Sequence, residues 1–150
     1  MARVLITGMS GAGKTTLLQE LARRGYPTVD TDYDGWELPG ALWDAPRMAD
    51  LLATHDTVAV SGTVRNQGDF AFDHVVLLSA PLDVLLERVA IRTNNPYGRS
   101  EAERAEIAEY VETVEPLLRA SATVELDGRR AVSDLADEVE ELLRRSALQP

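Results

Sequence analysis

Gly8-Met9-Ser10-Gly11-Ala12-Gly13-Lys14-Thr15 lies between a short apolar run, Val4-Leu5-Ile6, and a segment that sets Leu17, Leu18 and Leu21 on one helical face. Every fixed position of the pattern Gly-x4-Gly-Lys-[Ser/Thr] is filled. The spacing answers a physical need. Glycines let the backbone curl until successive N–H groups point inward at a phosphate, and the following helix adds its positive end. A lysine then reaches the β- and γ-phosphates while a Ser or Thr hydroxyl holds Mg²⁺. A glycine-rich turn without a ligand needs one or two glycines and has no use for Lys14. Gly8, Ser10, Gly11, Ala12, Gly13, Lys14, Thr15 and Thr16 are therefore expected to bind the phosphates of a nucleotide, with ATP and Mg²⁺ as the cofactors.

The composition narrows what else the chain could be. Its 150 residues are 45% hydrophobic and 27% charged, the values of an ordinary globular domain. A chain of this length buries about 70% of its unfolded surface and needs neither metal nor disulfide for a core. The absence of cysteine excludes a disulfide framework, a zinc-thiolate site and a thiol nucleophile. Fifteen basic against 25 acidic residues, a net charge of −10, argue against nucleic acid as a partner. Lys14 is the only lysine among those cations, so no Asn/Thr-Lys-x-Asp guanine-recognition sequence exists. No apolar run ends in the Asp-Glu of the larger ATPases either. The opening Met1-Ala2-Arg3 runs straight into Val4-Leu5-Ile6, too short for a signal-peptide core and far from the ~20 residues that span a bilayer. We expect a cytoplasmic protein without a membrane partner.

Short apolar runs alternate with longer helical patterns, the signature of a parallel sheet with crossover helices. The runs are residues 3–7, 27–30, 57–61, 74–79 and 123–126. They are continuous rather than alternating, as in strands covered on both faces. Helices are expected over 14–24, closed by Gly25, over 46–53, and over 82–92 with Pro81 in its first turn. A long pattern over 100–120 opens with the capping box Ser100-Glu101-Ala102-Glu103 and is interrupted at Pro116. An amphipathic helix over 133–143 precedes a polar tail. No linker or repeat is visible, so one domain over 1–150 is expected.

Several further segments make the chain resemble the shikimate kinase and nucleoside monophosphate kinase group over nearly its whole length. Thr28-Val29-Asp30-Thr31-Asp32 is similar to the Asp-Thr-Asp that ends the second strand of shikimate kinases. Ala80-Pro81-Leu82-Asp83-Val84-Leu85-Leu86-Glu87-Arg88 resembles the segment after the fourth strand in both families. Glu115-Pro116-Leu117-Leu118 and Val124-Glu125-Leu126-Asp127-Gly128-Arg129 resemble the late helix, last strand and adenine-side loop of shikimate kinases. The resemblance implies an α/β fold, the three-layer αβα P-loop NTPase fold with a five-stranded parallel sheet of order 2-3-1-4-5. It implies that Asp30 supports Mg²⁺ beside Thr15 and that Asp32 meets the acceptor hydroxyl. Arg88 and Arg129 would bind the nucleotide, and Arg92, four residues on from Arg88, the transferring phosphate. Residues 93–100 would form a short lid, with Arg99 as a further lid cation.

The acceptor half departs from shikimate kinases. Their third strand leads into Gly-Gly-Gly, whereas here it leads into Ser61-Gly62-Thr63-Val64-Arg65-Asn66-Gln67-Gly68. Glu115 stands where they carry an arginine before Pro-Leu-Tyr. The expected substrate is thus a small-molecule hydroxyl acceptor other than shikimate. Residues 33–55 are its expected binding region, with Asp34, Trp36, Arg65 and Asn66 joining Asp32, and with Trp43, Arg47 and Gln67 nearby. Both tryptophans could stack on a ring or sugar face, with packing in the core or a flap as the competing reading. His55 and His74 are read as surface or strand-end residues. Two other functions fit the same motifs: a nucleoside or nucleotide kinase, and a regulatory protein that hydrolyses ATP slowly. Either a monomer or a small homo-oligomer is consistent with the sequence.

Overall fold

In a computed structural model, residues 2–93 and 95–145 are described. The five anticipated runs are strands β1 (Arg3–Thr7), β2 (Thr28–Asp30), β5 (Val58–Ser61), β6 (His74–Ser79) and β7 (Val124–Asp127). They form one sheet in the order β2-β5-β1-β6-β7 with every neighbouring pair parallel. Counting only these five strands, that is the expected 2-3-1-4-5. A further pair, β3 (Glu37–Leu38) and β4 (Leu42–Trp43), forms a separate antiparallel hairpin that the sequence does not announce. Two residues per strand are too few to show a period, and Pro39-Gly40 in the turn was the only local signal.

Helices cover both faces of the sheet. Leu17, Leu18 and Leu21 of α1 (Lys14–Arg23) pack with Val4, Ile6 and Val76. Leu135, Val139 and Leu143 of α6 (Val132–Arg144) fill the same layer. On the opposite face Leu5, Val58 and Val60 meet Met48 and Leu52 of α2 (Ala45–Thr54), together with Trp36 and Trp43. Leu5 faces away from Val4 and Ile6, as alternate residues of a strand must. Each fully buried Leu or Val contributes roughly 1.5–3 kcal/mol relative to exposure, so the two layers hold the sheet from both sides.

Helix ends follow the local chemistry. Gly25 and Tyr26 close α1 through Gly25 N–H to Ala22 carbonyl and Tyr26 N–H to Leu21 carbonyl, the paired bonds of a Schellman ending. The long pattern over 100–120 is two helices, α4 (Glu101–Thr113) and α5 (Glu115–Ser121), with α3 (Leu82–Ile91) before them. Pro116 sits in the first turn of α5, where its missing N–H costs nothing. Ser100 and Glu103 form the anticipated capping box on α4. Asn94, in the segment expected as a lid, and the polar tail, 146–150, lie outside the described residues. Because all five sheet strands run the same way, Thr7, Asp30, Ser61, Ser79 and Asp127 end at one edge, where ligands bind in open α/β sheets.

Candidate functional site

The loop 8–13 bends back over the end of β1. At Gly11 the backbone takes φ +89°, and a Cβ there would stand 2.8 Å from the Leu85 carbonyl, so only glycine fits the loop against α3. Lys14 opens α1 and turns its side chain into the loop, where Nζ donates to the Gly8 carbonyl at 2.6 Å and the Met9 carbonyl at 3.1 Å. Burial pushes the Lys14 ammonium below its ordinary range, while Asp32 and Asp30 pull in the opposite direction. The cation held in the cradle has neutral carbonyls as its hydrogen-bond partners.

Thr15 Oγ1 donates to Asp30 Oδ2 at 2.9 Å, and Asp32 N–H donates to Asp30 Oδ1 at 3.1 Å. One carboxylate thus joins the first turn of α1 to the residue after next on its own segment. Asp32 lines a cavity of about 420 Å³ together with Lys14, Thr15, Arg88 and Arg92. Withdrawal from water pushes its carboxyl above the ordinary range, Lys14 opposes that shift, and Asp30 adds to it by like-charge repulsion. A hydroxyl beside a carboxylate at a helix N-terminus is a hard-oxygen donor pair of the kind Mg²⁺ takes together with substrate phosphates. Among the described residues no group of three or more His, Cys, Asp or Glu could hold a metal ion, so phosphate oxygens would have to complete such a site.

Beneath the loop lies a small polar network that the sequence did not reveal. Thr63 Oγ1 donates to the Gly8 carbonyl at 2.8 Å, accepts from Gly8 N–H at 3.2 Å, and stands 2.9 Å from Thr7 Oγ1. Gln67 donates to Thr7 Oγ1 at 3.3 Å and accepts from Val64 N–H at 2.9 Å. The loop is therefore anchored to the segment after β5, where the larger ATPases place an acid. The signal was present as Thr7 and Thr63 at two strand ends, but only the register of β1 on β5 brings them together.

Two arginines, Arg88 and Arg92, line the cavity without a carboxylate partner among the described residues, and a third, Arg99, bonds to one of them. Arg88 donates to the Gly11, Ala12 and Gly128 carbonyls at 3.3, 3.2 and 2.8 Å, tying the loop to the turn after β7. Arg92 donates to Ser10 Oγ at 3.2 Å and to the Asn95 and Tyr97 carbonyls at 3.1 and 2.8 Å. Arg99 donates to the Arg92 carbonyl. By contrast Arg129 pairs with Asp127 at 2.7 Å in a separate concavity that Glu115 and Arg119 also line. Its neighbour Arg130 lines the main cavity beside Val132 and Leu135, as does Tyr33 from the second-strand side. The Arg129-Arg130 doublet carries no period that could have told the two apart.

The acceptor-side expectations fall out differently. Trp43 is 1% exposed, packs against Phe70 and Phe72, and belongs to the core. Trp36 is buried as well, with the Arg47 guanidinium 3.8 Å above its ring, and it does not line the cavity. Arg47 also donates to the Asp34 carbonyl at 2.7 Å, closing the turn in which Asp34 takes φ +63°. Asn66 accepts from Trp43 N–H at 2.9 Å and donates to its carbonyl at 3.3 Å. Arg65 is exposed and makes no ion pair among the described residues. Glu115 is buried and paired with Arg119 at 3.0 Å. Glu37, which the sequence reading did not single out, is pushed up by burial and by the charge of Asp32.

Residues 4–109 match the family described as an AAA domain. A nucleotide-binding protein of Oceanobacillus iheyensis is 33% identical over 138 residues, and the match covers 91% of this chain but only 43% of that protein. A shikimate kinase of Dechloromonas aromatica is 30% identical over 152 residues, covering 87% of this chain and 83% of the relative. Among solved structures, a shikimate kinase from Acinetobacter baumannii in complex with shikimate superposes with a TM-score of 0.67 at 22% identity, over 95% of this chain and 92% of that one. With the phosphate loop, the sheet order and the match to a shikimate kinase over most of both chains in agreement, the chain belongs to the small P-loop kinases of the shikimate and nucleoside monophosphate kinase group.

Proposed function

We propose that the chain is an ATP- and Mg²⁺-dependent phosphotransferase that moves the γ-phosphate to a hydroxyl of a small-molecule acceptor. The observation that carries this reading is the Thr15–Asp30 bond at 2.9 Å with Asp32 on the same segment and Lys14 in the cradle. Phosphoryl transfer is chiefly a matter of alignment and cancellation of charge. Mg²⁺, when bound with ATP, would neutralise charge on the β- and γ-phosphates, and Thr15 and Asp30 are the residues that would hold it. Lys14 reaches the same phosphates as a flexible point charge, which a planar guanidinium would do less well. Arg88 and Arg92 would turn from neutral carbonyls to nucleotide and transferring phosphate. Asp32 accepts the acceptor's hydroxyl proton as the new P–O bond forms and the bond to ADP breaks; its raised affinity for protons suits a general base.

The single domain would then divide its labour, with residues 93–100 as a lid and residues 33–55 shaping the acceptor side. The test is ADP release measured across a panel of polyols, sugars, hydroxy acids and nucleosides, each against water alone. Acceptor-dependent ADP release with recovery of a phosphorylated acceptor supports the reading. ADP formed at the water rate with every acceptor overturns it in favour of a regulatory ATPase. A response confined to nucleosides assigns the acceptor to that class.

A further inference from the structure

The residue between the two aspartates is itself held on two sides. Thr31 is 1% exposed. Its N–H donates to the Ser61 carbonyl at 3.0 Å and its Oγ1 donates to the same carbonyl at 2.8 Å. The remaining capacity of that hydroxyl accepts the indole N–H of Trp43 at 2.9 Å. A hydroxyl has one proton to donate, so the bond to Ser61 fixes its rotor and aims a lone pair at the indole. The packing makes room for this contact and nothing else. A Cβ on Gly62 would stand 2.2 Å from Thr31 Oγ1 and 3.0 Å from the Trp43 ring.

Trp43 is equally constrained from its own side. Asn66 bonds both its N–H and its carbonyl, and Phe70 and Phe72 pack against its ring. A phenylalanine would fill most of the same space, so burial alone does not call for an indole. The feature that only tryptophan supplies here is the N–H. β2 needs such a support. It is three residues long and lies at the edge of the sheet, so β5 braces it from one side only. From the sheet face on which it packs with Leu5, Val58 and Val60, the Trp43 indole bonds the residue between Asp30 and Asp32.

We propose that Trp43 is a positioning residue whose indole N–H, acting through Thr31, holds the Asp30–Asp32 segment so that Asp30 faces Thr15 and Asp32 faces Lys14. The hairpin and α2 on the acceptor side are thereby wired to the two carboxylates. The inference rests on the phosphotransferase reading, because it assumes that Asp30 and Thr15 hold Mg²⁺ with a nucleotide.

Four variants separate this role from packing: Trp43→Phe, Thr31→Val, Thr31→Ser and Phe70→Leu. The measurement is calorimetric titration with ADP alone and then with Mg²⁺ into the ADP complex, with the melting temperature of each variant as a control. Trp43→Phe and Thr31→Val should weaken Mg²⁺ binding by about tenfold while leaving Mg²⁺-free ADP affinity at the wild-type value. Thr31→Ser keeps the hydroxyl and should keep wild-type Mg²⁺ affinity. Phe70→Leu loosens the same core without touching the hydrogen bond, so it should lower the melting temperature and leave Mg²⁺ affinity unchanged. Wild-type Mg²⁺ affinity in both Trp43→Phe and Thr31→Val overturns the proposal, as does an equal loss in Phe70→Leu. A wild-type protein that binds ADP no better with Mg²⁺ than without it overturns the phosphotransferase reading itself, and this inference with it.

Discussion

Around the phosphate loop, position is written in the backbone; around the hairpin, it is written in side-chain bonds. Gly11 is required by φ and by the Leu85 carbonyl, and Lys14, Arg88 and Arg92 all bond to main-chain oxygens. On the other side, Thr31, Trp43 and Asn66 hold one another through hydroxyl, indole and amide. The two arrangements leave different traces. A backbone cradle tolerates few residue types at fixed spacing and so reads as a motif. A side-chain network joins residues 12 and 23 apart in sequence and can be built from many combinations.

The cradle is tested most directly at Lys14. If the cradle exists to present that ammonium to phosphate, Lys14→Ala should lower nucleotide turnover by about 10²–10³-fold, the cost of removing one well-placed electrostatic group. ADP release under saturating ATP checks it. Turnover within tenfold of wild type would mean that the loop binds phosphate without using its lysine.

Asp32→Asn gives the next largest effect and carries a sign. Loss of the proton acceptor should reduce transfer by about 10²-fold with Mg²⁺–ADP binding retained. Burial and Asp30 raise the Asp32 carboxyl. A carboxyl whose folded-state pKa is raised favours the fold while protonated and opposes it increasingly as pH rises through that pKa. The asparagine variant is free of this opposition. It should therefore melt at a higher temperature than wild type at neutral pH, and the gap should close as the solution is acidified below the Asp32 pKa. Thermal melts from pH 4 to 8 test this; a variant less stable than wild type at pH 7 contradicts the assigned strain.

The extent to which the sequence was legible follows the same division. The central strands were visible because parallel strands buried on both faces are continuous apolar runs, as Val58-Ala59-Val60 and Val76-Leu77-Leu78 are; the edge strands β2 and β7 are only partly buried and leave shorter runs. The break at Pro116 was visible because proline cannot continue a helix. The two-residue strands of the hairpin were not, since neither local propensity nor period speaks at that length. Trp36 is ambiguous in the sequence because an aromatic after a strand end reads alike whether it faces ligand or core. Only the third dimension puts Arg47 over its face. Gln67 reads in the sequence as an acceptor-side residue and Thr63 carries no signal, because their partners, Thr7 and Gly8, are more than 50 residues away.

Arg92 sharpens the contrast between a group held ready and one permanently engaged. Its bonds to Ser10 Oγ and to the Asn95 and Tyr97 carbonyls have uncharged acceptors, and a phosphate would add the attraction of an opposite charge and a bidentate fit. Arg92→Ala should raise the KM for ATP by about tenfold, measured at fixed saturating acceptor, while the melting temperature changes little. An unchanged KM would show that Arg92 is a strut for the loop at Asn95 and Tyr97 rather than a nucleotide ligand.

The smallest expected effect tests the finest distinction, between two adjacent arginines. Arg129 is committed to Asp127, whose carboxyl it holds down at about 2, and it faces the second concavity. Arg130 lines the main cavity beside Val132 and Leu135, with Glu138 2.5 Å from its guanidinium. An exposed ion pair of that kind is worth about 0–1 kcal/mol, so breaking it to meet a nucleotide costs little. Arg130→Ala should raise the KM for ATP by about two- to fourfold, the scale of one exposed cationic contact. Arg129→Ala should leave it at the wild-type value. The reverse order would move the nucleotide contact one residue back, to the arginine that the sequence resemblance selected. Equal effects would mean that the turn after β7 acts through its backbone shape, since Arg88 already fastens that turn to the phosphate loop at the Gly128 carbonyl.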